Sequence, residues 1–306
     1  MSMLVALMWA VSPVLMKEGL KFCTPSDVPA IRSISFILAM VFFMIVTRSG
    51  AMPHMTPRLF AGVLGSALLS SLLGDLLYTF SVQKIGASLA VSVSSGYPFV
   101  TAVMSIFLLN ERIGPLVWLG TVMIIGGILV IKIDASRQER AAAGYVLEDF
   151  EERRMKRANI TKGISFALGS ALCSGINIPI IKILMTEGGW SPTESYFLRS
   201  VAFFFMAWTM REAQHRFAPE AIRPIEKLPL RAWISLLSSG LIGIALSGIL
   251  FATCIERFPV SVITPITASS PFMTLVLARL ILKEKLSRAQ SAGVVIVIAG
   301  SISVSL

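Results

Sequence analysis

The sequence predicts an all-α integral membrane protein with ten transmembrane helices, arranged as two inverted five-helix repeats. Three observations predict this. Of 306 residues, 55% are hydrophobic and only 14% charged, at a mean hydropathy of +0.79. Soluble domains carry about 45–50% apolar and about 25% charged residues. Ten apolar runs, each near the ~20 residues that cross hydrocarbon, would together take up about 200 residues. The two halves of the chain also repeat one another. The composition excludes a soluble enzyme, a disordered chain and a secreted disulfide scaffold. Cys23, Cys173 and Cys254 stand too far apart for a metal motif, so no metal site is expected. The net charge of +10 reads as membrane topology charge and not as a nucleic-acid footprint. No basic segment precedes the first apolar run, so no cleavable signal is expected.

Charged breaks define the spans in order. The first half contains 2–20, 28–47, 59–82, 87–109 and 115–133, and the second contains 162–186, 193–210, 232–255, 260–282 and 288–306. Short loops between them suit a tight bundle. Residues 134–161 are different: twelve charged side chains between Asp134 and Arg157 prevent that stretch from crossing hydrocarbon. It reads as a solvated linker, although the spacing of Tyr145, Val146, Phe150 and Met155 also permits a short surface helix. The organisation is therefore 1–133 as first repeat, 134–161 as linker and 162–306 as second repeat.

A shift of 173 residues superimposes Pro98 on Pro271, Glu111 on Glu284, Gly120 on Gly293 and Gly127 on Gly300. Earlier in each half, Pro13, Lys17 and Arg32 answer to Pro179, Lys182 and Arg199 in the same order. Ordered matches on corresponding spans indicate an internal duplication. Because five is odd, the second half must lie upside down relative to the first, an architecture shared by many secondary transporters.

The stretch GASLAVSVSSGYPFVTAVMSIFLLNERIGPLVWLGTVMIIGGILVI runs from Gly86 to Ile131. A second copy, VSVITPITASSPFMTLVLARLILKEKLSRAQSAGVVIVIAGSI, runs from Val260 to Ile302. With Trp9, Pro13 and Lys17 of the first span, these resemble the EamA type of the drug/metabolite transporter superfamily. Asn110 and Lys283 stand where that pattern has Gly before Glu. The resemblance covers nearly the whole chain outside 134–161, and Arg32 and Arg199 fall where the family has an arginine in the second span of each repeat. It implies export or exchange of a small metabolite such as an amino acid, nucleotide sugar or drug.

Candidate site residues follow from what is costly in lipid. Proline removes a donor and frees a carbonyl about one turn earlier. In hydrocarbon that carbonyl needs a partner or a water-lined cavity. Pro13, Pro98, Pro179 and Pro271 are therefore expected to break spans one, four, six and nine. Hydroxyls cluster beside them, with Ser95, Tyr97 and Thr101 in span four and Thr267 and Ser270 in span nine. These read as cavity lining, with helix packing as the alternative. Ser12 and Asn177 adjoin the other two prolines and join the candidate substrate-binding set, with Trp9 as a stacking wall or an interfacial anchor. Asp75 lies roughly 10 Å inside span three at 1.5 Å per residue. A carboxylate there marks function by default, and Tyr78 shares its face. Asp75 is expected in substrate binding or proton coupling, with pairing to Arg32 or Lys17 as the structural alternative. Arg32 and Arg199 read as gate or ion-pair groups, with Glu194 as a candidate partner. Glu111 and Glu284 read as structural acids at helix starts.

These readings lead to a secondary transporter, not an enzyme, working without a cofactor. It would move a small molecule by alternating access, driven by the substrate's own gradient or by protons. Its partners would be substrate and lipid bilayer, with no nucleic acid. One duplicated chain is sufficient as a monomer, and a dimer is compatible. The alternative is a non-transporting helper subunit or lipid-handling partner. In a prokaryote the location would be the cell (inner) membrane. Orientation stays open: the family places both termini in the cytoplasm. Lys and Arg, however, divide 19 to 4 between the two faces, which favours both termini outside.

Overall fold

The computed structural model describes residues 1–47, 55–109, 114–116, 118–120, 122–124, 126–127, 130, 134, 150–217, 225–257, 267, 270–277 and 287–305. Every regular element among them is helical. In the first half these are α1 (Ser2–Gly19), α2 (Asp27–Val46), α3 (Pro57–Ser66), α4 (Asp75–Ser94) and α5 (Tyr97–Leu109). In the second half they are α6 (Phe150–Gly188), α7 (Pro192–Phe217), α8 (Leu230–Gly240), α9 (Ser247–Arg257), α10 (Ser270–Leu277) and α11 (Arg288–Ser305). Two wide π-helical segments, Ala67–Gly74 and Leu241–Leu246, join α3 to α4 and α8 to α9.

Among the described residues, five helices are long and apolar enough to cross a membrane: Asp27–Val46, Pro57–Ala87, Leu89–Leu108, Ala158–Gly188 and Leu230–Arg257. The prediction counted ten spans. Span nine lies largely, and span five partly, outside the described residues, and Glu111 and Glu284 lie outside them. The break expected between spans three and four is made by Gly86, whose φ of 82° is closed to most L side chains. The charged stretch is not a fully irregular linker, because helix α6 already begins at Phe150 and runs without interruption into span six.

The helix-break expectation divides. Pro98 and Pro271 each occupy the second residue of a helix, α5 and α10, where a missing donor costs nothing. Pro13 and Pro179 instead lie inside α1 and α6, which continue through them. The reason is visible at Pro179. The carbonyl it frees, that of Gly175, accepts a hydrogen bond from Thr101 Oγ1 at 3.2 Å. With that acceptor satisfied, nothing forces the helix to open.

Local side chains hold the chain at two helix starts. Ser191 and Glu194 form a capping box at α7: Ser191 N donates to Glu194 Oε2 at 2.9 Å, and Glu194 N donates to Ser191 Oγ at 3.3 Å. At α2, Thr24 N and Oγ1 both donate to Asp27 Oδ2, at 3.0 and 2.7 Å. Asp27 Oδ1 also receives Arg211 Nε at 3.1 Å, which ties α2 to α7.

Packing crosses between the halves. α1 lies against α8 and α10, α6 against α4 and α5, and α2 against α7. The fifth span meets α11 at glycines. A Cβ on Gly127 would stand 2.7 Å from the Gly293 carbonyl oxygen, and one on Gly300 would stand 2.7 Å from that of Gly120. Along one helix the partners run 120 then 127, and along the other 300 then 293, so the crossing is antiparallel. Side chains such as Ile45, Phe107 and Val122 are 68–74% exposed or nearly so (70%, 74% and 68%), which is an outer surface suited to lipid.

Candidate functional site

Helices of both halves line a cavity of about 260 Å³. Its position follows from the sequence pattern: each helix that reaches it carries a narrow polar face in an otherwise apolar span. Ser71, Asp75 and Tyr78 recur at helical spacing, as do Ser170, Ser174 and Asn177, and each trio lines the cavity. The two π-helical segments also contribute, through Ser70, Ser71 and Gly74 in the first half and Gly243 and Ile244 in the second. A π turn widens the helix and is frequent at functional sites.

Of the residues expected from sequence, Trp9, Ser12, Pro13, Arg32, Asp75, Tyr78, Ser95, Tyr97, Asn177, Arg199 and Ser270 line this cavity. Thr101, Thr267, Pro98, Pro179 and Pro271 are not among its lining residues. Thr101 is occupied with the Gly175 carbonyl and with Tyr97 O. Thr267 is buried behind the wall, 3.5 Å from Tyr97 OH.

The polar groups are largely tied down. Arg32 Nη1 forms an ion pair with Asp75 Oδ1. Arg32 also donates to Ser12 Oγ at 3.3 Å and to Met16 Sδ at 3.5 Å. Ser12 in turn bonds Ser239 on α8, with Oγ–Oγ and Oγ–O separations of 3.0 Å and a return bond of 2.9 Å from Ser239 Oγ to Ser12 O. Trp9 Nε1 donates to Ser247 Oγ at 3.0 Å, and its ring meets Tyr97 edge-on at 6.4 Å and Phe251 at 5.3 Å. Trp9 thus packs in the seam between the two halves. Ser66 Oγ donates to Asn177 Oδ1 at 2.5 Å. Ser95 Oγ is spent on the Val91 carbonyl at 2.8 Å.

Arg199 departs from expectation. Glu194 is held in the capping box, and no ion pair joins it to Arg199 among the described residues. Arg199 Nη2 donates to Ser71 Oγ at 3.3 Å, and the guanidinium carbon lies 4.6 Å from the centroid of the Tyr196 ring. Tyr196, Ser71, Ser170, Ser174 and Ser247 are lining residues the sequence reading passed over. The signal for them was present as serine recurrence at three- and four-residue steps, which proline-centred reasoning does not sample.

Together these features make a small pocket whose walls are mainly apolar, with two buried guanidinium groups and one carboxylate among its described lining residues. Such a pocket can bind a small molecule bearing both polar and apolar parts.

Comparisons with known proteins place this architecture. Over 92 residues the chain is 27% identical to a Bacillus subtilis (strain 168) protein, "Uncharacterized transporter YwfM", a match that spans 30% of this chain and 31% of that protein. A solved protein crystal structure aligns over 99% of this chain and 93% of its own, with a TM-score of 0.61 and 12% identity, a likeness of fold. The model of the EamA-like transporter family matches residues 1–133 and 161–306. With its apolar membrane-crossing helices, this is a multi-pass integral membrane protein, and the chain belongs to the EamA-like transporter family.

Proposed function

We propose that this protein is a secondary transporter moving a small metabolite across the membrane by alternating access, as exporter or exchanger. The observation that carries the reading is the cavity where helices of the two halves meet, with charged and hydroxyl side chains set in mainly apolar walls. Residues 1–133 and 162–306 act as the two five-span repeats, with 134–161 between them. The reciprocal packing of α1 on α8 and of α6 on α4 supports an inverted relation, as does the antiparallel glycine crossing. Rocking of one repeat against the other would expose the cavity to each side in turn.

The substrate class spans amino acids, sugar derivatives and small drug-like molecules, and a volume of about 260 Å³ favours the small end. Trp9, Ser12, Asp75, Tyr78, Ser95, Tyr97, Asn177 and Ser270 are the proposed contacts, with Thr101 and Thr267 supporting the wall from behind. Asp75 and Arg32 form the proposed coupling pair. Protonation of Asp75 would release Arg32 and loosen the link among spans one, two and three, so a proton gradient could drive the cycle.

Flux in proteoliposomes tests this. Purified protein should move at least one member of a panel of amino acids, sugar phosphates, nucleotide sugars and organic cations. Asp75→Asn and Asn177→Ala should slow that flux by about tenfold or more at preserved folding. A well-folded sample that transports nothing and gains no thermal stability from any of them would instead support the helper-subunit reading.

A further inference from the structure

The two buried arginines of the cavity are not equivalent. Each belongs to the second span of its half, and each is nearly inaccessible, Arg32 at 3% and Arg199 at 4% exposure. Arg32 is neutralised by Asp75. The position that answers to Asp75 under the 173-residue shift is Gly248. The Tyr196 ring fills the space there, since a Cβ on Gly248 would run into it. The second half therefore has no carboxylate where the first half has one, and Arg199 has no acidic partner among the described residues.

The guanidinium of Arg199 carries five N–H donors. One bond, to Ser71 Oγ, is made, while Nε and Nη1 are buried without any acceptor. An aromatic face covers the group on one side. A permanently charged side chain held in this way lines the cavity.

We propose that Arg199 is the anion-binding group of this cavity, and that the transported molecule carries a carboxylate which docks on it. The proposal deepens the transporter reading and rests on it. A carboxylate matches the planar fork of arginine. A monoanion balances one spare cation. A phosphate dianion would overshoot it beside Asp75, which lies one helical turn from the Ser71 that Arg199 holds. Trp9, Ile178 and Phe251 line the same cavity and would receive an apolar arm.

The test uses the purified full chain in detergent and matched probes: 4-methylpentanoate against 4-methylpentanamide, leucine against leucinamide, and inorganic phosphate. Acids should raise the unfolding temperature and their amides should not. Arg199→Gln should weaken acid binding on the order of 100-fold, and Arg199→Lys should recover part of it, since charge returns without the fork. Without any probe, Arg199→Met should melt higher than the parent, because an uncompensated buried cation has been removed. Amides binding as well as acids, acids binding Arg199→Gln as tightly as the parent, phosphate alone binding, or an Arg199→Met protein that melts lower would each overturn the assignment. Flux separates the two readings. Acid-selective binding with no flux in liposomes keeps the carboxylate site and removes the transporter. Flux of amines or neutral solutes with no preference for acids keeps the transporter and removes the site.

Discussion

Replacing Asp75 by Asn should destabilise the protein more than replacing both members of its ion pair. The Arg32 and Asp75 side chains are only 4% and 10% exposed. Without the carboxylate, Arg32 keeps a 3.3 Å bond to Ser12 and a 3.5 Å contact to the Met16 sulfur, which is a weak acceptor. Breaking a buried pair from one side costs about 3–5 kcal/mol, because a charge is stranded. At roughly 2 °C per kcal/mol, the low end suited to a large chain, the single variant should melt about 6–10 °C lower. Arg32→Met combined with Asp75→Leu removes both charges, and such exchanges are often neutral or stabilising by about 1–4 kcal/mol. The assay is thermal unfolding in one detergent of the parent, both single variants and the double, read as a double-mutant cycle. A double variant as unstable as the sum of its singles, or an Asp75→Asn change that shifts melting by less than about 1 °C, would refute the reasoning.

Other perturbations follow from the same geometry. Gly127→Ala and Gly300→Ala should each cost about 1–3 kcal/mol, since the atoms they would meet include backbone of the facing helix. Gly65→Ala, facing nothing within 4 Å, should stabilise by up to about 1 kcal/mol; equal effects at all three sites would reject the crossing. Thr101→Val should cost about 1–3 kcal/mol by orphaning the Gly175 carbonyl. Pro179→Ala should return part of that loss by restoring an in-helix donor, measured as a coupling in unfolding free energy. Asp27→Ala should cost about 3 kcal/mol, because it removes two Thr24 bonds and strands Arg211. Glu194→Ala loses only a capping box, about 1 kcal/mol, and the ranking of the two midpoints checks this.

Composition and hydropathy were sufficient for the class of the protein, because lipid permits so few alternatives for a backbone that must satisfy its own hydrogen bonds. Pro98 and Pro271 were expected to break spans four and nine, and each instead stands as the second residue of a helix. Asp75 was legible too, since a carboxylate deep in an apolar run is costly enough to need a reason. Its pairing was left open between two basic groups, and span three alone does not say which one faces it.

Only the packed bundle settled the rest. Pro13 and Pro179 read alike with the other prolines, yet their helices continue through them, and at Pro179 the freed carbonyl is met by a donor from a distant span. Thr101 was read as cavity lining for its place near Pro98, and instead supplies that donor to α6. Arg199 was expected to meet Glu194 five residues away, which the capping box had already claimed. The sequence by itself determined a membrane-embedded helical protein and the costly side chains that had to find partners. Which partner each one found was decided by tertiary structure, because in hydrocarbon those partners come from other helices brought within hydrogen-bond reach by packing.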